Sequence, residues 1–258
     1  MPNAVRYFYY WRQASSIYCK HKVNLVSSNS MPDIIVIGGG PAGMMAAGQA
    51  ALLGADVWLL ERNPRLGRKL LLTGQGRCNI TNNLEVPQFI ADCGPKAKFL
   101  YPALNAFPNQ RTLEFFENLG LEIKLERGGR YFPRSDRSAD VLQALSTFLS
   151  KNQVRIFFGH RATAIEKKPG GFEIRAQDRV LKTPRVILAT GGRSYPTTGS
   201  SGDGYRLAQG LGHTIIEPRP TVVPLEVKES FVKELQGLSL KNVALSFVQG
   251  KSCLLYTS

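Results

Sequence analysis

Between Asp33 and Glu61 the chain reads Asp-Ile-Ile-Val-Ile-Gly-Gly-Gly-Pro-Ala-Gly, then an Ala-rich stretch, then Val-Trp-Leu-Leu-Glu. This order predicts a complete βαβ unit. Ile34 to Ile37 form a short β-branched run, as expected of a strand buried on both faces of a parallel sheet. Gly38, Gly40 and Gly43 fit G-x-G-x-x-G. In that pattern the first glycine makes the tight turn, the second lets a pyrophosphate approach the backbone, and the third lets helix and strand pack closely. Pro41 suits a first helical turn, where its missing N–H costs nothing, and Ala42 to Leu53 supply a helix that Gly54 can end. The N-terminus of that helix faces the phosphates of a bound dinucleotide. Val57 to Leu60 give a second buried strand ending at Glu61, about 20 residues beyond the glycines, where a carboxylate accepts from ribose hydroxyls. A 2′-phosphate at that position would be repelled. A Gly-rich turn in some other α/β protein would share the glycines, but not the strand, helix, strand and acid in sequence.

At 258 residues, 43% hydrophobic and 20% charged, the composition is that of an ordinary soluble chain with room for one large or two modest domains. No apolar run approaches the roughly 18 residues that a membrane-spanning helix needs. Cys19, Cys78, Cys93 and Cys253 are scattered without C-x-x-C or His/Cys spacing. Neither a zinc site nor a disulfide framework is indicated, and a reducing, cytoplasmic setting fits best. The formal net charge is +14. Four of the bases (Arg6, Arg12, Lys20, Lys22) lie in the first thirty residues, which hold no acid; without them 29 bases face 19 acids, a balance of +10. Such an excess points to a polyanionic partner such as RNA, although anionic cofactors and solubility also draw lysine and arginine.

The first thirty residues carry an aromatic cluster from Tyr7 to Trp11 and do not read as part of the fold. They lack the apolar core and small-residue cleavage site of a secretory signal; a basic, acid-poor mitochondrial presequence is the sharper alternative. The simplest reading is upstream sequence, disordered or non-native, with Met31 as the natural start. After Glu61 comes a basic segment that runs into the Gly-rich polar loop up to Asn82, just past a strand's carboxyl end, where ligands bind in open α/β sheets. Residues 83–150 read mostly as helices, including 112–119 and 139–149, the latter with Ser135 and Asp136 as candidate caps. The stretch from Arg127 to Arg134 between them is basic and turn-rich. From Val154 the period changes: a strand at 154–158, a β-meander over 162–167, 171–177 and 179–183, then an apolar strand from Arg185 ending in Gly191-Gly192. A second Gly-rich loop at 198–205 leads to a helix at 206–211, and the alternation at 222–227 and 243–248 begins a new β-rich unit.

The segments Ile37-Gly-Gly-Gly-Pro-Ala-Gly43, Gly67-Arg-Lys-Leu-Leu-Leu-Thr-Gly-Gln-Gly-Arg-Cys-Asn-Ile-Thr-Asn82, Gly129-Arg-Tyr-Phe-Pro133 and Ala189-Thr-Gly-Gly-Arg-Ser-Tyr-Pro196 with Gly202-Asp-Gly-Tyr205 together resemble the BaiN-like family of bacterial NAD(P)/FAD-dependent oxidoreductases. The likeness covers residues 31 to about 250, and the Gly-Arg-Cys-Asn-x-Thr-Asn block is its specific mark. It implies an α/β, Rossmann-like FAD-binding domain of the two-dinucleotide-domain flavoprotein type at 31–215, with a helical insertion at about 83–150 and a β-meander. It also implies the start of an inserted β-rich domain at 216–258. A later segment that returns to complete the flavin site is expected and is not found; the last eight residues match nothing expected there, which reads as a truncated 3′ end.

By the same resemblance, Gly38, Gly40, Pro41, Ala42, Gly43, Glu61 and Arg62 hold the ADP half. Arg68, Lys69, Gly76, Arg77 and Asn79, with Ala189, Thr190, Gly191 and Gly192, approach the isoalloxazine. Backbone donors there would stabilise the reduced flavin, and cations would raise its potential. The implied reaction is hydride transfer: NAD(P)H reduces FAD, and flavin N5 passes hydride to an activated C=C bond. Cys78 is the candidate general acid, because a thiol of ordinary pKa is protonated at neutral pH. Tyr195 and His213 are weaker donor candidates. The substrate is a small molecule with an activated double bond, in the bile-acid manner, or ribosomal RNA whose uridine becomes dihydrouridine. A truncated fragment that binds nucleotide weakly and catalyses nothing is the non-enzymatic alternative. No second G-x-G-x-x-G marks a separate NAD(P)H domain, no metal site is indicated, and oligomeric state is not legible.

Overall fold

The computed structural model describes residues 31–220, 228–238, 244–249 and 252–257. The first thirty residues and the strand expected at 222–227 lie outside the described residues. The chain runs through β1 (Ile34–Ile37), α1 (Pro41–Leu52) and β2 (Val57–Glu61), as its periodicity predicts. A short β3 (Thr81–Asn82) precedes the helices α2 (Val86–Asp92), α3 (Tyr101–Ala106) and α4 (Asn109–Asn118). Next come β4 (Ile123–Glu126), β5 (Arg130–Pro133), α5 (Ser138–Lys151) and β6 (Arg155–Phe158). The meander β7 (Ala162–Lys168), β8 (Gly171–Ala176) and β9 (Arg179–Thr183) leads to β10 (Arg185–Leu188), α6 (Asp203–Gly210), β11 (Ala244–Gln249) and β12 (Ser252–Thr257).

The architecture is α/β around a four-stranded parallel sheet of order β10-β1-β2-β6. Both faces of that sheet are covered, which is why its strands are apolar except at their ends, where Arg155, Arg185 and Glu61 stand. Val36, Val57 and Leu59 pack with Met44, Ala47, Val141, Leu145 and Leu149 of α1 and α5. Ile35, Ile37, Trp58 and Leu60 pack against Ile165, Ile174 and Ala176 of the meander and Leu207 of α6. Each fully buried Leu, Ile or Val contributes roughly 1.5–3 kcal/mol of transfer free energy, so the sheet is the thermodynamic centre of the molecule. Gly48, in mid-helix, is explained by the helix that crosses it: a Cβ there would lie 2.2 Å from the Phe148 ring of α5. Gly54 sits at φ +94° just past α1 and its N–H reaches back to the Ala51 carbonyl, ending the helix as expected.

Three local expectations are corrected. The turn-rich basic stretch 127–134 is the turn and second strand of a hairpin: β4 and β5 pair antiparallel, and β3 joins the β5 edge, strands that the mostly helical reading of 83–150 did not include. Ser135 and Asp136 do not cap α5, whose N-cap is Arg137. Ser135 Oγ donates instead to Asp140, and Asp136 is drawn away by Lys124 and Arg77. The helix expected at 206–211 begins at Asp203, which takes Gly204 and Tyr205 out of the loop. Among the described strands, β11 and β12 pair with each other in an antiparallel hairpin within 216–258, the stretch expected to begin a β-rich unit.

Candidate functional site

The carboxyl ends of β1, β2 and β10 open into a cleft of about 220 Å³, walled by residues 38–42, 61–63, 67–69, 160–162, 189–191 and 198–200 with Asp203. Its floor is set by glycine. Gly38 takes φ +112°, and a Cβ on it would stand 2.4 Å from the Ala189 carbonyl oxygen, so the β1–α1 turn presses directly on the end of β10. A Cβ on Gly43 would stand 1.8 Å from the Gly38 carbonyl oxygen. At Gly40 a Cβ would meet no atom within 4 Å, so the backbone there lies open to the cleft and a ligand can approach it closely. The first turn of α1 points its N–H groups and the positive end of its dipole at this floor. Anionic oxygens are the ligand atoms such a floor accepts.

Glu61 ends β2 with its carboxylate buried in the wall. Oε2 accepts the Gly39 N–H at 2.7 Å, and Oε1 accepts both the backbone N–H and the side-chain Nδ2 of Asn63, each at 2.7 Å. Asn63 Nδ2 also donates to the Thr198 carbonyl at 3.2 Å, while its Oδ1 accepts from Arg68 at 2.8 Å. The far rim is a three-part ion bridge. Asp203, in the first turn of α6, takes Arg161 Nε and Nη2 at 2.9 Å each and Arg62 Nη1 at 3.1 Å. Arg62 also donates to Ser201 Oγ at 2.7 Å. The Arg161 fork beside it, with the charge of Arg62 adding, holds the Asp203 carboxyl below the usual carboxylate range. Its contribution is therefore complete above the ordinary Asp value near pH 4 and fades as pH falls through the depressed value. Asp203→Asn is expected to cost about 1 kcal/mol at pH 7. The gap between variant and parent should narrow in urea melts as the pH is taken from 7 to 3; an equal gap at both pH values would remove the bridge from the stability of the fold.

Of the residues expected at a cofactor, the cleft gathers Gly38, Gly40, Pro41, Ala42, Glu61, Arg62, Arg68, Lys69, Ala189, Thr190 and Gly191. Gly43 packs beneath its floor. Gly76, Arg77, Asn79 and Gly192 are not among the lining residues. Arg77 is turned to the other side of its loop, where it pairs with Glu126 and Asp136 and lies 4.2 Å over the Phe132 ring. Cys78 is corrected most clearly: it is 6% exposed and packs in the core beneath the sheet, away from the cleft. The loop before it accounts for this. Gly74, Gln75 and Cys78 all take positive φ, and the Cys78 N–H closes onto the Thr73 carbonyl, so the segment doubles back on itself. Burial pushes the Cys78 thiol up, with the Thr73 hydrogen bond opposing. Tyr195 and His213 are exposed and do not line the cleft either.

Of the cations expected near the isoalloxazine, Arg68 and Lys69 line the cleft: Arg68 is turned to Asn63, and Lys69 Nζ donates to Ser194 Oγ at 3.1 Å across to the loop after β10. Partial burial pulls its ammonium below the usual lysine value. Asn63, His160, Arg161, Ser200 and Asp203 line the cleft without having been singled out in the sequence. His160 and Arg161 follow β6 and carry no motif; Asp203 lay within a recognised Gly-rich block but without an assigned role. Among the described residues there is no cluster of three metal-ligating side chains, and no helix long and apolar enough to cross a membrane.

A family model described as the HI0933-like protein Rossmann domain matches residues 32–254. The 3-dehydro-bile acid delta(4,6)-reductase of Clostridium scindens is 42% identical over 203 residues, 77% of this chain and 48% of that protein. The ribosomal RNA dihydrouridine synthase of Haemophilus influenzae is 30% identical over 225 residues, 84% of this chain and 55% of that protein. The chain thus spans about half the length of the curated relatives it matches. Among solved structures, the 3-ketosteroid-delta4-(5alpha)-dehydrogenase of Rhodococcus jostii RHA1 shares the fold at a TM-score of 0.52 and 17% identity, covering 76% of this chain and 57% of its own.

Proposed function

Because the chain belongs to the HI0933-like Rossmann family, we propose that its cleft holds the ADP half of FAD and that the protein is an FAD-dependent oxidoreductase reducing an activated carbon–carbon double bond. The observation that carries this reading is the conjunction at one cleft of an open Gly40, the α1 N-terminus and the buried Glu61 carboxylate. Those groups fit a ligand with a diphosphate beside a ribose. The name of the Clostridium scindens relative supports reduction of a small, bile-acid-like substrate.

The chemistry that FAD supplies when bound is two-electron delivery of hydride from flavin N5 to an electron-poor carbon, with NADH or NADPH as the source. The chain's own groups do the rest. The α1 N-terminus neutralises phosphate charge, and Glu61 orients the ribose. Lys69 places a positive charge beside the β10 end, which favours a reduced, anionic ring. Lys69 also takes over the proton-donor role expected of Cys78: of the cations lining the cleft it alone is an ammonium, and guanidinium groups keep their protons throughout the physiological range. The test is an absorption spectrum of purified protein, before and after added FAD, followed by NADH or NADPH and then substrate. Flavin bands that bleach with one nicotinamide and recover with an unsaturated steroid acid are expected. A protein that takes up no flavin even when FAD is supplied overturns the reading in favour of an inactive fragment.

A second reading, reduction of uridine in ribosomal RNA, is favoured by the name of the Haemophilus influenzae relative and by the basic charge balance. Phosphate contacts release counterions, so RNA turnover should fall steeply between low and moderate salt. Turnover indifferent to salt would exclude RNA and leave the small molecule.

A further inference from the structure

We propose that Asn63 is a second acceptor for the ribose diol and so a specificity-determining residue of the cleft, an inference that rests on the reading of the cleft as an ADP site. Acceptor capacity at the cleft wall is limited. A carboxylate offers about four acceptor positions and a carbonyl oxygen two. Glu61 Oε1 is filled by the backbone N–H and Nδ2 of Asn63, and Oε2 already accepts the Gly39 N–H. One position remains on Glu61, whereas a vicinal diol donates twice. Asn63 Oδ1 accepts from Arg68 and has one position left. Which end of this carboxamide is oxygen is set by its neighbours: Nδ2 faces two acceptors, the Glu61 carboxylate and the Thr198 carbonyl, and Oδ1 faces a guanidinium. The carboxamide is also held from above, since a Cβ on Gly199 would lie 2.7 Å from Nδ2. One ribose hydroxyl therefore donates to Glu61 Oε2 and the other to Asn63 Oδ1, both of which belong to cleft-lining residues.

Calorimetric titration of ADP, 2′-deoxy-ADP and 3′-deoxy-ADP into the wild-type chain, Asn63→Ala and Asn63→Ser tests this. In the wild type, loss of either hydroxyl is expected to weaken binding about tenfold, the worth of one buried hydrogen bond. In Asn63→Ala the position freed on Glu61 Oε1 points into the vacated carboxamide site, where water and not the diol takes it, so ADP should bind about tenfold more weakly, and one of the two deoxy analogues should now bind as well as ADP while the other still loses about tenfold. Asn63→Ser, whose hydroxyl is too short to reach the diol, should behave alike; thermal melts identify a variant that has merely failed to fold. Variants that keep the wild-type ratios for both analogues overturn the assignment, as does a wild type indifferent to either hydroxyl. A wild type that binds none of the three nucleotides overturns the ADP reading itself and the Asn63 role with it.

Discussion

Gly43→Ala is expected to lower stability by about 3–5 kcal/mol, or roughly 10 °C in melting temperature for a domain of this size, and to abolish nucleotide binding. The added methyl would stand 1.8 Å from the Gly38 carbonyl oxygen and 3.0 Å from its carbon. Neither partner can yield. Gly38 is itself pressed against the Ala189 backbone, and β1 is hydrogen-bonded in register to β2 on one side and β10 on the other. Relief requires lifting α1 off the sheet, which opens the packing of Met44 and Ala47 against Val36. Gly40→Ala is the matched control. It sits in extended backbone at φ −80° with no atom near the new methyl, so it should melt close to wild type while still binding nucleotide poorly. Thermal denaturation of the pair decides the matter: a Gly43→Ala protein within about 1 kcal/mol of its parent would mean that the helix and strand are not as tightly apposed as described.

Glu61→Gln is expected to cost about 2–3 kcal/mol in stability and to weaken ADP binding about a hundredfold. The substitution is close to isosteric, and that makes it informative. Every polar neighbour of this carboxylate is a donor: the Gly39 N–H on one oxygen, the N–H and Nδ2 of Asn63 on the other. A carboxamide must turn its NH2 toward one side or the other, setting donor against donor at a residue that is 6% exposed. If NH2 faces Asn63, the loop that carries Asn63 and the Thr198 contact loosens. If it faces Gly39, the phosphate-binding turn loosens. Either orientation also removes the negative charge that a ribose hydroxyl would meet. Melting temperature and calorimetric ADP titration measure both losses; a Glu61→Gln protein with unchanged binding would show that Glu61 serves the fold alone.

The glycine turn, both strands beside it, α1 and Glu61 stand where the sequence put them, because each depends on a property that a single residue carries: absence of a Cβ, a fixed proline φ, a buried apolar run. The meander was equally legible from alternation and its Pro169-Gly170-Gly171 turn. The placement of Cys78 and Arg77 away from the cleft is not legible, for the opposite reason. They stand in a distinctive loop, but their direction depends on left-handed backbone at Gly74, Gln75 and Cys78. Gln and Cys at those positions give no local sign of it, since non-glycine residues seldom take positive φ. Arg77 was further claimed by Glu126 and Asp136, acids that become neighbours only when β4, β5 and α5 pack together.

The dinucleotide-type turn, the parallel strands and the acid at the carboxyl end of β2 follow from short-range sterics and hydrophobic period, and so are written in the sequence. The rest of the cleft arises only on folding. Arg62 meets Asp203 across 141 positions, and Asn63 meets Thr198 across 135. No local pattern encodes such pairs. They exist because β10, β1, β2 and β6 lie in that order in one parallel sheet and deliver their carboxyl-end loops to one place, where burial and charge select which side chains face inward.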